Sequence, residues 1–125
     1  MTARVQNNGL ARITSLLAAA SWYFQWGTGS GASASANAVT TTSTTEARVA
    51  ASMSQQTATV TNDKLRATGT ITAAGTRAIT EVGLFDAAGT GSPPTGGNMD
   101  VYGDFSTINL ASGDSIAFTA DVTFA

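Results

Sequence analysis

Cysteine and histidine are both missing from the 125 residues of this chain. Without cysteine there is no disulfide, no thiolate nucleophile and no cysteine-ligated zinc. Without histidine, acid–base chemistry near neutral pH falls to a shifted carboxylate or to lysine. Lys64 is the only lysine. It follows Asp63 in a turn signal, where a solvated side chain is the expected outcome. Serine nucleophiles lack a base, and no Gly-x-Ser-x-Gly elbow occurs. These absences point away from an enzyme.

Charge is also scarce. Only 11% of residues are charged, against about 25% in an ordinary soluble domain. A surface so poor in charge suits burial in a larger assembly, although a β domain coated with Thr, Ser and Ala needs few charges too. The six cations, Arg4, Arg12, Arg48, Lys64, Arg66 and Arg77, are scattered. No basic stripe forms, so no nucleic-acid partner is expected. No apolar run reaches the roughly 20 residues that span a bilayer, so no membrane partner is expected either. The stretch Ile13–Ala20 is short and interrupted by Thr14 and Ser15. It reads as a helix, with a signal peptide as the lesser alternative.

What the sequence does contain is period-two alternation. From Ser115 onward, Ile116, Phe118, Ala120, Val122 and Phe124 fall on one side, and Ser115, Ala117, Thr119, Asp121 and Thr123 on the other. Such a pattern makes a strand with one buried and one wet face. Gly113-Asp114 supplies the turn before it. Leu65, Ala67, Gly69, Ile71 and Ala73 alternate in the same way with Arg66, Thr68, Thr70 and Thr72, and Asn62-Asp63 marks a turn. Val49, Ala51 and Met53 share one side of a strand over Glu46–Met53, and Thr57–Thr61 is expected to continue extended. Thr40–Thr45, rich in β-branched residues, is expected to begin a strand or arm. Ser21–Trp26 is an aromatic strand. After a turn at Ala74-Gly75, Ile79–Phe85 is apolar on both faces and reads as a central strand. Asp86–Gly97, with two prolines and four glycines, is a loop. Met99–Phe105 is a strand with Met99, Val101 and Phe105 inward. At the N-terminus, Leu10, Ile13, Leu16, Leu17 and Ala20 recur at helical spacing, with Asn7-Asn8 offered as the N-cap.

These elements predict a single mainly-β domain over residues 1–125. It is a β-sandwich or jelly-roll-like fold with one short N-terminal helix near 8–20 and a flexible loop near 27–37. The glycines of that loop, Gly27, Gly29 and Gly31, lack the third-glycine spacing and following helix of a phosphate cradle, so no cofactor is expected. Asp86, Asp100 and Asp104 are the best oxygen donors for a cation, but no EF-hand spacing is present. They read as surface acids, and no metal is assigned. Glu81 lies in the most apolar strand, on the same side as Ile79 and Phe85. A buried carboxylate needs a partner, and Arg48 or Arg77 is the expected one.

Several stretches carry a family resemblance: MTARVQNNGLARITSLLA, WYFQWGTGSGASASANAVT, TTEARV and, most specifically, ITEVGLFDA and GDSIAFTADVTF. Their order resembles small structural proteins of tailed bacteriophages, found among head-decoration (cement) and tail proteins. The resemblance implies a β-rich subunit with no catalytic residues. Such proteins occur on both heads and tails, and the first expectation is a decoration protein on the virion's outer head surface, bound to the major capsid protein as a homotrimer and stabilising contacts between capsomers. A tail, baseplate or fibre-associated protein is the alternative. A carbohydrate-binding sandwich, with Trp22, Trp26 and Tyr102 as a stacking platform, is a further one. Aromatic and arginine side chains dominate interface energies, which makes Trp22, Trp26, Arg48, Tyr102 and Phe105 the interface candidates. Each has a place in the core as its alternative, and Arg48 a place on the solvated surface.

Overall fold

The alternating segments form the two halves of a sandwich. The computed structural model describes residues 1–39 and 44–124. A helix, α1 (Asn7–Ala18), precedes β1 (Tyr23–Gly27), β2 (Val49–Ala50), β3 (Ser52–Gln56), β4 (Lys64–Thr72), β5 (Arg77–Phe85), β6 (Met99–Leu110) and β7 (Ser115–Thr123). All pairings are antiparallel. One sheet has the order β2-β1-β5-β6 and the other β3-β4-β7. The fold is mainly β, with two sheets face to face and one short helix, as the alternation predicts.

Period two fixes the inner faces. Leu65, Ala67, Ile71 and Ala73 are buried on one sheet, facing Phe24, Trp26 and Leu84 on the other. Phe24 stacks on Phe118 with ring centroids 5.7 Å apart, and Phe105 closes on Phe118 at 6.2 Å. Gly69 pairs with Phe118 in the β4–β7 ladder. A Cβ at Gly69 would sit 2.7 Å from Phe24 Cδ2, so the Phe24 ring lies directly on the glycine backbone.

Chain corners link the sheets. The turn between β4 and β5 meets the turn between β6 and β7. Ala73 N–H donates to Asp114 C=O at 2.7 Å, and Gly113 N–H to Ala73 C=O at 2.8 Å. Gly113 has φ +91°, which the Gly-Asp turn requires, and the Asp114 carboxylate accepts from Ala111 N–H at 2.8 Å.

Elsewhere the chain departs from simple alternation. The strand expected over Glu46–Met53 divides at Ala51. Its first part pairs with β1 and its second with β4, and Ala51 N–H donates to Trp22 C=O at 2.8 Å between them. The alternation persists across the break, so the pattern alone does not reveal it. Residues 57–63 form a turn rather than extended chain. The Asp63 carboxylate, fully buried, accepts from the N–H groups of Ala58, Thr59 and Val60 at 2.7–3.0 Å and organises this turn. Of the expected Thr40–Thr45 segment, residues 40–43 lie outside the described residues.

The helix begins at Asn7, with Gln6 as an N-cap that makes no side-chain hydrogen bond, so neither asparagine caps it. Docking, more than capping, sets its position. Its buried stripe runs through Leu10 and Thr14, with Leu17 against the core, and leaves Leu16 63% exposed. Thr14 takes the inward place because its hydroxyl donates to Asn62 C=O at 2.7 Å and accepts from Gln55 Nε2 at 2.8 Å.

In β5 the two faces are buried against different partners. Ile79 belongs to the inter-sheet core, whereas Glu81, Gly83 and Phe85 are buried on the far side under loops. A register shift between Ile79 and Glu81 separates them, so they do not share the side that uninterrupted alternation implies.

Candidate interaction surfaces

Arg48 anchors the loop over the far face of the β1–β5 pair. Its Nε donates to Gln25 Oε1 at 2.8 Å, and its Nη1 donates to the carbonyls of Ala87 and Gly96 at 2.9 and 2.8 Å. The guanidinium carbon lies 3.7 Å above the Phe85 ring centroid, a cation–π contact. Gln25 Nε2 donates onward to Pro94 C=O at 3.2 Å. Burial pushes the Arg48 pKa down, and Asp86 opposes that shift. The cluster ties both ends of the β5–β6 loop, which contains a cis Ser92-Pro93 bond, to the sheet.

Glu81 supports the second loop. It is fully buried and accepts from Tyr102 Oη at 2.6 Å and from Gly29 N–H at 3.2 Å. Thr80 Oγ1 donates to Gly29 C=O, and Gly31 N–H donates to Asp104 at 2.9 Å. The glycine-rich segment is thus fastened to the sheet at two points. The expected arginine partners hydrogen bond elsewhere. Arg77 Nε pairs with Glu46 Oε1 at 2.9 Å, and the Arg48 bonds are those above. The reason is direction: Glu81 points under the glycine loop, where a phenol and an amide supply the donors.

Two of these polar anchors were not singled out from sequence. Glu46 accepts from Ala74 N–H, Arg77 Nε and Trp26 Nε1. Burial raises its pKa, but these donors outweigh burial and hold it below the ordinary value. Gln25 is 3% exposed. A lone amide within the aromatic run YFQW was the available signal, since a buried amide requires partners.

The interface candidates separate by burial. Trp22 and Trp26 lie in the core, with indole N–H groups donating to Leu17 C=O at 2.7 Å and Glu46 Oε2 at 3.3 Å. Arg48 is buried in the loop anchor. Tyr102 and Phe105 are half-buried, Tyr102 on the loop-covered face and Phe105 against Phe118. With both tryptophan rings inside, Trp22, Trp26 and Tyr102 present no common stacking platform. Asp86 accepts from Asn98 N–H and Nδ2, Asp104 accepts from Gly31, and Asp100 is exposed. Among the described residues no cluster of three or more His, Cys, Asp or Glu is placed to hold a metal. A cleft of about 250 Å³ is lined by Phe24, Leu84, Val101, Tyr102, Thr119 and Asp121, and a wider one of about 410 Å³ lies between the glycine-rich loop and β6, at Ala32, Ala36, Met99, Asp100 and Tyr102.

The sheet edges differ sharply. β2 has two residues and β3 five; β6 has twelve but carries two register shifts against β5. β7 runs nine residues in unbroken register along β4. On its solvent side Asp121 accepts from Arg66 Nε and Nη2 at 2.7 and 2.8 Å, and from Lys64 Nζ at 3.3 Å. The Arg66 hydrogen bonds, then Lys64, hold its pKa at about 2 against burial. Backbone donors, led by Val60 N–H, likewise depress Asp63. A folded pKa below the unfolded 3.8 gives stability that is complete above about pH 4 and lost as pH falls through about 2. The melting temperature should therefore stay flat from neutral to about pH 5 and fall between about pH 4 and 2. Asp121→Asn should flatten that fall, as a thermal melt at each pH would show. An identical acid slope in the variant would remove Asp121 from the account.

Among the described residues the buried polar side chains of this two-sheet sandwich serve as loop anchors, and the class of protein comes from comparison with known families. The chain is a bacteriophage structural protein. The family model of the podophage GP4 fiber I protein gp80 matches residues 3–123, and the chain belongs to that family. No curated protein and no solved structure matches it. The resemblance to phage structural proteins holds at this level, but the family is one of fibre proteins. It supports the tail and fibre alternative better than head decoration.

Proposed function

We propose that this chain is a non-enzymatic structural subunit of a virion fibre, working through protein–protein contact. The family match over residues 3–123 carries this reading. The scarcity of charge supports it, because a surface destined for burial between subunits gains little from ions that would need desolvation. So does the tethering of both long loops to the sheet through Arg48 and Glu81, which presents preformed surfaces to neighbours at low entropic cost. Its partners are fibre proteins and further copies of itself, and neither nucleic acid nor membrane is among them.

Gold-labelled antibody against the chain, viewed on intact virions by electron microscopy, tests the placement. Label confined to fibres is the expected result. Label spread over the head would overturn it, restoring the cement role with the major capsid protein as partner.

A further inference from the structure

The β7 edge is built to accept another strand. In an antiparallel ladder, residues alternate between directing both main-chain groups at the partner and directing both away. Phe124 N–H donates to Asp63 C=O at 2.9 Å, one step beyond the Lys64–Thr123 pair. The even-numbered residues of β7 therefore face β4. Ser115, Ala117, Thr119, Asp121 and Thr123 direct N–H and C=O outward. Among the described residues no neighbouring element takes up these groups. The usual protections of an edge are bulges, proline, lysine and short length. β7 has no proline or lysine, and its register along β4 is unbroken over nine residues, or about 30 Å.

We propose that β7 pairs antiparallel with β7 of a second copy, about a two-fold axis through Thr119, so that two three-stranded sheets become one of six strands. The sequence of the edge selects this occupant and this register. Outward-directed residues must meet outward-directed residues. An axis at Thr119 sets Thr119 opposite Thr119, Ala117 opposite Asp121 and Ser115 opposite Thr123, giving about ten main-chain hydrogen bonds. The only charge on the strand, Asp121, then faces alanine and keeps its own Arg66 and Lys64. No like charges oppose each other. On the core side Phe118 meets Ala120 and Ile116 meets Val122, large against small in the first pair. An edge this neutral offers nothing to a strongly acidic or basic peptide. The pairing concerns the isolated chain, so it stands or falls apart from the protein's place in the virion.

The cysteine-free sequence makes the test direct. Light scattering on the purified chain should give about twice the 12.6 kDa of one copy. Thr119→Cys places two thiols on residues about 5.5 Å apart at Cα, within disulfide reach, and should oxidise to a covalent dimer on a non-reducing gel. Ser115→Cys should not, because like residues there lie eight positions apart along the ladder, about 27 Å. Thr119→Lys opposes two like charges and should reduce the dimer at least tenfold while leaving the far-ultraviolet circular dichroism unchanged. A monomer or trimer mass for the native chain would overturn the proposal. So would cross-linking no faster at position 119 than at 115.

Discussion

Phe24→Ala should destabilise the fold by about 3–5 kcal/mol, among the largest effects of any single truncation in this chain. Phe24 is 1% exposed and bridges the two sheets, stacking on Phe118 and lying on the backbone of Gly69. Removing the ring leaves a hole that neighbours on both sheets fill only partly. The reciprocal substitution is more informative. Gly69 does not have a positive φ, so its lack of a side chain answers a steric demand and not a backbone one. Gly69→Ala would bring a methyl to 2.7 Å from Phe24 Cδ2, and overpacking of this kind costs about 1–3 kcal/mol. In a Phe24→Ala background the clash is gone and the methyl enters vacated space. There Gly69→Ala should cost nothing or stabilise slightly. Urea melts of the wild type, the two single variants and the double variant should return a coupling of about 1–3 kcal/mol. Equal costs in both backgrounds would mean that the glycine is there for another reason.

The same pair shows where sequence ends as a guide. Leu65, Ala67, Ile71 and Ala73, and Ile116, Phe118, Ala120 and Val122, were legible as inner faces because one side of each strand is dry and the other wet; Phe124, one step past the end of β7, breaks that expectation and is exposed. Gly69 continues that pattern, but its reason lies in an aromatic ring from the other sheet. The division at Ala51 was hidden for a similar cause. Val49, Ala51 and Met53 are all half-buried against the one core, so alternation does not register that the chain has passed from sheet to sheet. The inward place of Thr14 was hidden because polar docking to Gln55 and Asn62 prevailed over the hydrophobicity of Leu16. For the candidate surfaces the limit was sharper. Aromatic composition marks Trp22 and Trp26 as energetic residues without saying whether the ring meets its own core or a neighbour. Sheet order decides that, and it puts both inside. Arg48 was legible as important and not as a loop anchor, because its acceptors are main-chain carbonyls some 40 and 50 residues away.

That anchor makes the second large effect. Arg48→Met should cost about 2–4 kcal/mol, since hydrogen bonds to a charged donor are lost and Gln25 and two carbonyls are left to find partners. The loss should be uneven. Arg48 joins Ala87 at the start of the β5–β6 loop to Gly96 near its end, and Gln25 holds Pro94 between them. Freed of that contact, the loop opens locally before the sandwich unfolds. Hydrogen exchange should therefore accelerate across residues 86–98 well before it does in β4 or β7. Arg48→Lys separates charge from shape. An ammonium keeps the positive charge, but it does not reach Gln25 and both carbonyls from one fork while lying over the Phe85 ring. Lysine should recover less than half of the lost stability and little of the loop protection. Wild-type exchange in Arg48→Lys would show that charge alone holds the loop. Uniform acceleration across the whole chain in Arg48→Met would show instead that the guanidinium supports the core as a whole, with the loop merely following it.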